Sequence, residues 1–316
     1  MPDIKTLAAR EEAERRFDSG HALCAGCGIP IVVRTVLNSI EEPVVVANAT
    51  GCLEVATTLY PYTAWNVPWI HVAFENAAAV ISGVETAYRV LKRRGKLPSD
   101  RKIVFVAFAG DGGTYDIGLQ ALSGALERGH NFLYVCYDNE AYMNTGIQRS
   151  SATPLGAFAT TEPPGKESIG KRRNRKDLTK IIAAHNIPYV AQASISHWYD
   201  LSEKVKRAVA KDGPAFINVM STCFRGWRHD PNLTTEVARL AVETRFWPLY
   251  EIEDGEWRLN YVPKERVDLV EWLKLQGRFR HLFTPENRWV IDKLQEEVDR
   301  EWEELLARCK LAPVTE

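Results

Sequence analysis

Two sets of side chains in this sequence have types and spacings that suit chemistry, and the first is cysteine. Cys24 and Cys27 lie three apart in the Gly-flanked stretch "HALCAGCGIP". Such a pair can bind zinc, do thiol redox work or ligate an iron–sulfur cluster. A redox pair belongs at the start of a helix in a thioredoxin context, which this stretch lacks. Zinc and iron–sulfur each need four ligands, so two more thiols must come from elsewhere. Cys52 follows an apolar run at "TGC" and Cys223 follows another at "STC", each where a ligand can project. Cys136 lies inside an apolar run and reads as a small core residue, and Cys309 as an ordinary position of the last helix. On these residues alone, zinc and iron–sulfur stand level.

The second set is oxygen. In "GDGGTYDIGLQALSGALERGHNFLYVCYDNEAY" an apolar strand ends at Gly110-Asp111-Gly112, a helix follows, and the next strand ends at Asp138-Asn139. In an open parallel sheet, neighbouring strand ends meet at the carboxyl edge, where such folds bind ligands. Asp111 and Asn139 then share one rim. A carboxylate, an amide oxygen, a backbone carbonyl and diphosphate oxygens make a shell that suits Mg²⁺. The glycines let the backbone approach a diphosphate and aim N–H groups at it near a helix start.

The elements that must position these residues follow from hydrophobic pattern. "IPIVVRTVLNSI" reads as a helix opening at Pro30, and "PVVVANATGC" as a buried strand with a turn at Gly51. "PWIHVAFENAAAVISGVETAYRVLKRRG" gives a short strand and a long helix with a basic end closed by Gly95. "KIVFVAFAGDGG" and "NFLYVCYDNEAY" are strands buried on both faces, with "YDIGLQALSGALERGH" as the helix between them. Residues 144–176, rich in Thr, Ser, Gly and Pro, form a long loop of the functional kind. "KDLTKIIAAHN", "IPYVAQASI", "YDLSEKVKRAVAKDG" and "PAFINVMSTC" then alternate helix and strand. After Cys223, "FRGWRHDP" reads as a loop, "TTEVARLAVET" as a helix, "PLYEIEDGEWRLNYVP" as a hairpin turning at Asp254-Gly255, and the remainder as a helical arm. The fold class is α/β, a parallel sheet with helices on both faces and a C-terminal extension. The division expected is 1–235 for the α/β domain and 236–316 for the hairpin and arm, packed on the same domain or on a partner.

Composition narrows the function. The 316 residues hold 40 basic and 41 acidic side chains, a net charge of -1, which gives no electrostatic argument for nucleic acid or an anionic membrane. The basic run "GKRRNRK" (Gly170–Lys176) reads as a solvated loop or helix start, with contact to a partner or phosphate as the second reading. The charged first residues carry no secretory pattern, and no apolar run is long enough to span a bilayer, so the cytoplasm is the expected location.

GDG followed about 28 residues later by a carboxyl-edge Asn resembles the motif of thiamine diphosphate enzymes. "GHALCAGCG", "ANATGCLEVATTLYPYTAW", "AFENAAA", "YMNTGIQRSSATP" and "LKLQGRFRHLF", in that order over nearly the whole chain, resemble the β subunit of 2-oxoacid:ferredoxin oxidoreductases, most closely the pyruvate type. The resemblance implies a thiamine diphosphate-binding fold with Mg²⁺ held by Asp111, the Asn139 side chain and the Ala141 carbonyl. It selects Cys24, Cys27, Cys52 and Cys223 as ligands of one four-iron four-sulfur cluster. Thr50, Gly51 and Leu53 would line the cofactor between cluster and diphosphate, with Gly110 and Gly112 at the diphosphate and Thr145 and Gln148 facing it. Asn144 matches the asparagine aimed at the reacting carbon.

The activity so implied is oxidative decarboxylation of pyruvate to acetyl-CoA, with electrons passing to ferredoxin. Partner subunits would supply the glutamate at the aminopyrimidine ring, substrate contacts and further clusters, in a hetero-oligomer whose assembled copies pair. Glu54 reads as a surface or supporting residue, and Glu75 as an acidic group favouring a helix start. Arg225, Arg228 and His229, beside the fourth cysteine, depart from the family pattern and read as a solvated loop, or as groups that raise the cluster potential or meet an acidic electron carrier. The differing stretch "LGAFATTEPPGK" leaves oxalate, without coenzyme A, and branched-chain 2-oxoacids as alternative substrates. From a different class come a non-redox thiamine enzyme with structural zinc and a zinc-stabilised interaction subunit.

Overall fold

The computed structural model describes residues 4–97 and 102–311. Apolar runs rich in Val, Ile and aromatic residues favour extended backbone. Among the described residues they give β1 (Val44–Ala49), β2 (Trp69–Val72), β3 (Val104–Gly110), β4 (Leu133–Asp138), β5 (Tyr189–Ser194), β6 (Ala215–Met220), β7 (Tyr250–Glu253) and β8 (Glu256–Leu259). They form one sheet in the order β2-β1-β3-β4-β6-β5-β7-β8. The first six are mutually parallel, β7 joins β5 antiparallel, and β8 closes the hairpin. Positive φ at both Asp254 and Gly255 supplies the twist that a two-residue hairpin needs.

Alternation along the central strands decides the layers. Val104, Val106 and Phe108 of β3 enter one core with Val32 and Val36 of the helix Ile29–Ser39 and Val205 of the helix Trp198–Ala210. Phe105, Ala107 and Ala109 enter the other, against Ile81 of the helix Ala77–Arg93 and Leu122 of the helix Leu119–Glu127. Both faces are covered, which is why these strands read as continuous apolar runs.

A third core gathers Trp227, Trp247, Trp272, Phe279 and Val298 with Leu155 and Ala157. It packs the helices Thr234–Glu243, Leu269–Lys274 and Arg288–Arg308 against the long loop. Residues on both sides of position 235 therefore share a sheet and a core.

The winding sets the site. The chain leaves β1 toward β2 on one side and returns to β3 on the other, and such a reversal opens a crevice at the carboxyl ends of the strands. Three local expectations are corrected. The helix after Asp111 begins as a wide π-helical turn, Gly112–Ile117, a form common at functional sites. "FRGWRHDP" is not all loop: Phe224–Trp227 is a helical turn and Trp227 and His229 are buried, while Arg225, Arg228, Asp230 and Pro231 are exposed. The basic run is a solvated surface only in part: Arg172, Arg173 and Asn174 are exposed, but Lys171 is 2% exposed and Arg175 turns inward over the Trp247 ring, 4.4 Å from its centroid.

Candidate active site

Strand ends deliver the expected residues to one place. Thr50, Gly51 and Cys52 follow β1, Asp111 and Gly112 follow β3, and Asn139 and Ala141 follow β4. With Gly110, Asn144 and Thr145 they line a cavity of about 140 Å³. Leu53 does not: its side chain is fully buried in the core. The position after Cys52 opens a short helix, Cys52–Thr57, and points Leu53 under the sheet edge instead of into the crevice. Gln148 also lies off the cavity, accepting from Thr145 Oγ1 at 2.6 Å.

The register pairs Gly110 with Tyr137, which brings Asp111 beside Asn139. Asp111 is 1% exposed; it accepts from Ser150 Oγ at 2.5 Å and from the Asn139 N–H at 3.3 Å. Burial, and then the charge of Asp138, push its carboxyl well above the ordinary carboxylate range. The Asn139 carboxamide oxygen lies 2.9 Å from the Ala141 carbonyl oxygen and 3.0 Å from Asp111 Oδ1. Three acceptors crowded together, with only the long bond from the Asn139 N–H to Asp111 Oδ1 as a donor among them, are unfavourable in a buried place. Turning the amide over supplies a donor; a divalent cation satisfies all three. The oxygen-only donor set fits Mg²⁺, with the remaining positions left for water or phosphate. Gly112 keeps the corner open, since a Cβ there would lie 2.5 Å from the Tyr142 ring.

The same cavity holds groups that the sequence did not announce. Phe74, Tyr137, Tyr142 and Met143 line it. Tyr137 is buried and its hydroxyl has no hydrogen-bond partner, so a polar group of a bound molecule would satisfy it. The signal was present as alternation: Tyr137 faces the side of β4 opposite Cys136, at a strand's last turn toward the rim. Ser150 had no signal, because it reaches Asp111 from a loop 39 residues away.

Cys24, Cys27, Cys52 and Cys223 line a second cavity of about 470 Å³, walled by Leu23, Val55, Leu59 and Met143. Burial first, with a contribution from the neighbouring thiols, pushes the Cys27 and Cys52 thiols up to about 12. Cys223 is raised as well, first by burial. The CxxC turn is held by Gly26, whose φ of 85° and close approach to Pro231 exclude any side chain. Ser221 Oγ lines this cavity without a hydrogen-bond partner. Cys136 is fully buried in β4, and Cys309 caps the last helix.

Among the described residues, no three His, Cys, Asp or Glu side chains gather closely enough to hold a single metal ion. The oxygen corner has only one carboxylate among its donors. The four thiols line one cavity, and four thiolates suit either a structural zinc or an iron–sulfur cluster. Cys52, Asn139, Met143 and Asn144 face both cavities, so the two share a wall. Glu54 stands 3.7 Å from His71 Nε2, which meets Thr50 Oγ1 at 2.7 Å. Glu75 lies in the turn before the helix Ala77–Arg93, outside both linings.

A fold of this kind with a diphosphate-suited corner defines a thiamine diphosphate-binding domain, and the family model "Thiamine pyrophosphate enzyme, C-terminal TPP binding domain" matches residues 49–219. The pyruvate synthase subunit PorB of Thermotoga maritima is 54% identical over 313 residues, 97% of this chain and 96% of that one. PorB of Methanothermobacter thermautotrophicus is 57% identical, over 90% of this chain and 96% of its own length. The ketoisovalerate oxidoreductase subunit VorB of Pyrococcus abyssi is 45% identical, over 92% and 93%. The chain belongs to this family, the β subunits of 2-oxoacid:ferredoxin oxidoreductases that its motifs resemble. A 2-oxoglutarate:ferredoxin oxidoreductase from Magnetococcus marinus shares the fold at 22% identity and a TM-score of 0.53, over 71% of this chain and 79% of the other. Among the described residues no helix is long and apolar enough to cross a membrane.

Proposed function

We propose that this chain is the thiamine diphosphate- and iron–sulfur-bearing subunit of a cytoplasmic complex that converts pyruvate and coenzyme A to acetyl-CoA and carbon dioxide, reducing ferredoxin. The observation that carries the reading is the shared wall: an oxygen corner suited to Mg²⁺ and a ring of four thiols meet at Cys52, Asn139, Met143 and Asn144. When bound, thiamine diphosphate supplies an electron sink for decarboxylation, and a four-iron four-sulfur cluster beside it takes the electrons singly.

The chain's own residues have distinct tasks. Asp111, the Asn139 side chain and the Ala141 carbonyl hold Mg²⁺, and the bare backbone at Gly112 leaves room for phosphate. Asn144, on the common wall, donates its amide N–H to negative charge developing at the reacting carbon. Phe74 and Tyr142, whose rings lie 5.6 Å apart, keep water from the crevice. Cys24, Cys27, Cys52 and Cys223 hold the cluster and must lose their protons to do so. Cys24 is exposed at the cavity mouth, where a partner subunit would cover it.

Relatives named for pyruvate stand at 50–57% identity and a relative named for ketoisovalerate at 45%, which favours pyruvate over branched-chain substrates. Reduction of a low-potential acceptor by the native complex tests the reading. The complex is offered pyruvate with coenzyme A, 2-oxoisovalerate with coenzyme A, and oxalate alone. Reduction with pyruvate and coenzyme A is expected; a response to oxalate alone, or to the branched-chain acid in preference, would overturn the substrate assignment.

A further inference from the structure

Glu140 lies between the two residues whose oxygens face the cation corner, and its backbone is left-handed, with φ of 66°. A non-glycine residue keeps that conformation only when its surroundings over-determine it. Here they do. The Glu140 N–H donates to Asp138 Oδ1 at 3.0 Å, and its carbonyl accepts from Thr153 Oγ1 at 2.6 Å. Its carboxylate accepts from Arg278 Nη2 at 2.5 Å, and Arg175 Nη1 stands 3.7 Å from the other carboxylate oxygen. Glu140 is fully buried and Arg278 is 2% exposed.

Arg278 holds the same segment a second way. Its guanidinium lies over the Trp227 ring, 3.9 Å from the centroid, and Trp227 Nε1 donates to the Asn139 carbonyl at 2.7 Å. Arg278 belongs to "LKLQGRFRHLF" and Trp227 to "FRGWRHDP", both far along the chain from the rim. The backbone of Glu140 sets where the Asn139 side chain lies relative to the Ala141 carbonyl. A buried ion pair adds little net stability over an apolar pair of similar volume, so its effect here is sought in conformation.

We propose that the Glu140–Arg278 pair is a positioning device that locks residues 139–141 in the cation-binding arrangement and so couples the C-terminal arm to the cofactor site. The inference rests on the reading of Asp111, Asn139 and Ala141 as magnesium ligands. Neither Glu140 nor Arg278 touches the corner, so their effect passes through the backbone.

Removing Arg278 alone would strand a buried carboxylate, so the pair is removed together in E140M/R278M, within the assembled complex. Three quantities are read: Mg²⁺ affinity at saturating thiamine diphosphate, the paramagnetic resonance spectrum of Mn²⁺ bound in place of Mg²⁺, and the melting temperature without cofactor. Cation affinity should fall about 10–100-fold, the loss typical when supporting contacts of a metal site are removed. The Mn²⁺ spectrum should broaden, and the melting temperature should hold. If the double variant does not assemble, E140Q keeps shape and an acceptor while removing the charge, and should lower cation affinity several-fold. Unchanged affinity and spectrum in a folded variant would overturn the proposal. D111N separates the two readings: if it too leaves cation affinity unchanged, the magnesium assignment falls; if D111N alone lowers it, only the positioning role falls.

Discussion

The oxygen corner and the cysteine cavity share a wall but are built in opposite ways. The corner is small and tightly held: Asp111, Asn139, Glu140 and Ser150 are all buried, and hydrogen bonds from a loop and a distant helical turn fix them. The cysteine cavity has more than three times the volume, has apolar walls and leaves Cys24 exposed. Its thiols come from three separate segments tied by single backbone bonds, Ala22 N–H to the Ala56 carbonyl at 2.8 Å and Gly28 N–H to the Thr222 carbonyl at 3.3 Å, with Thr234 Oγ1 donating to the Gly26 carbonyl. The first site is braced by hydrogen bonds to its own side chains, whereas the second is braced only through the backbone and apolar walls around its thiols. Losing a ligand should therefore have different consequences in the two places.

The largest effect is expected from C52S or C223S, which should remove iron and acid-labile sulfide and abolish ferredoxin reduction. Because the corner is independently braced, thiamine diphosphate binding should survive, as calorimetry would reveal. Joint loss of cluster and cofactor binding would mean that the shared wall needs the cluster to form, erasing the contrast. One zinc per chain and no sulfide in the native complex would instead restore the structural-zinc reading. Next in size is D111N, expected to weaken thiamine diphosphate binding by more than the about 10–100-fold typical of losing a supporting contact. Iron content should stay unchanged. Loss of iron in D111N would show that the corner braces the cysteines as well.

The contrast also explains what was legible in the sequence. Asp111 and Asn139 could be read because each ends a strand whose apolar run is visible, and parallel pairing brings such ends together. The cysteines were legible as types and spacing, but their encirclement of one cavity depends on how Gly26 meets Pro231, a contact between turns with no periodic signal. Leu53 was misplaced because one residue of rotation at a helix start turns a lining position into a core position. The basic run misled for a related reason: charge suggests solvent, yet Arg175 answers two buried carboxylates, Asp138 and Glu140, which apolar neighbours concealed. Long-range partners of buried charges carry no local pattern, and Arg278 was visible only as part of a family motif.

A smaller effect tests whether the common wall contacts the cofactor. Tyr137 keeps a buried hydroxyl unsatisfied, which costs about 1–3 kcal/mol in the cofactor-free chain. In Y137F that cost disappears, so the empty complex should melt higher. If a cofactor atom accepts from this hydroxyl, thiamine diphosphate affinity should fall by about tenfold, the equivalent of about 1.4 kcal/mol. Higher stability with unaltered affinity would place the hydroxyl outside the binding contacts and leave the cation corner as the main anchor.

The subtlest prediction concerns the loop that seals the corner. Lys171 donates to the carbonyls of Ser151 and Thr153, next to the serine that holds Asp111, and burial lowers its ammonium to about 8 from the ordinary 10.5. Its folded value lies below its unfolded one, so between about pH 8 and 10.5 the unfolded chain binds the extra proton. Stability must therefore rise with pH across that window, because deprotonation relieves the buried charge in the folded state alone. Denaturant unfolding of the complex at several pH values should show this component in the native sequence and not in K171M. Its presence in K171M would assign it to another group. A native profile without it would mean that Lys171 is hydrated, and that the loop seals the corner less tightly than its burial implies.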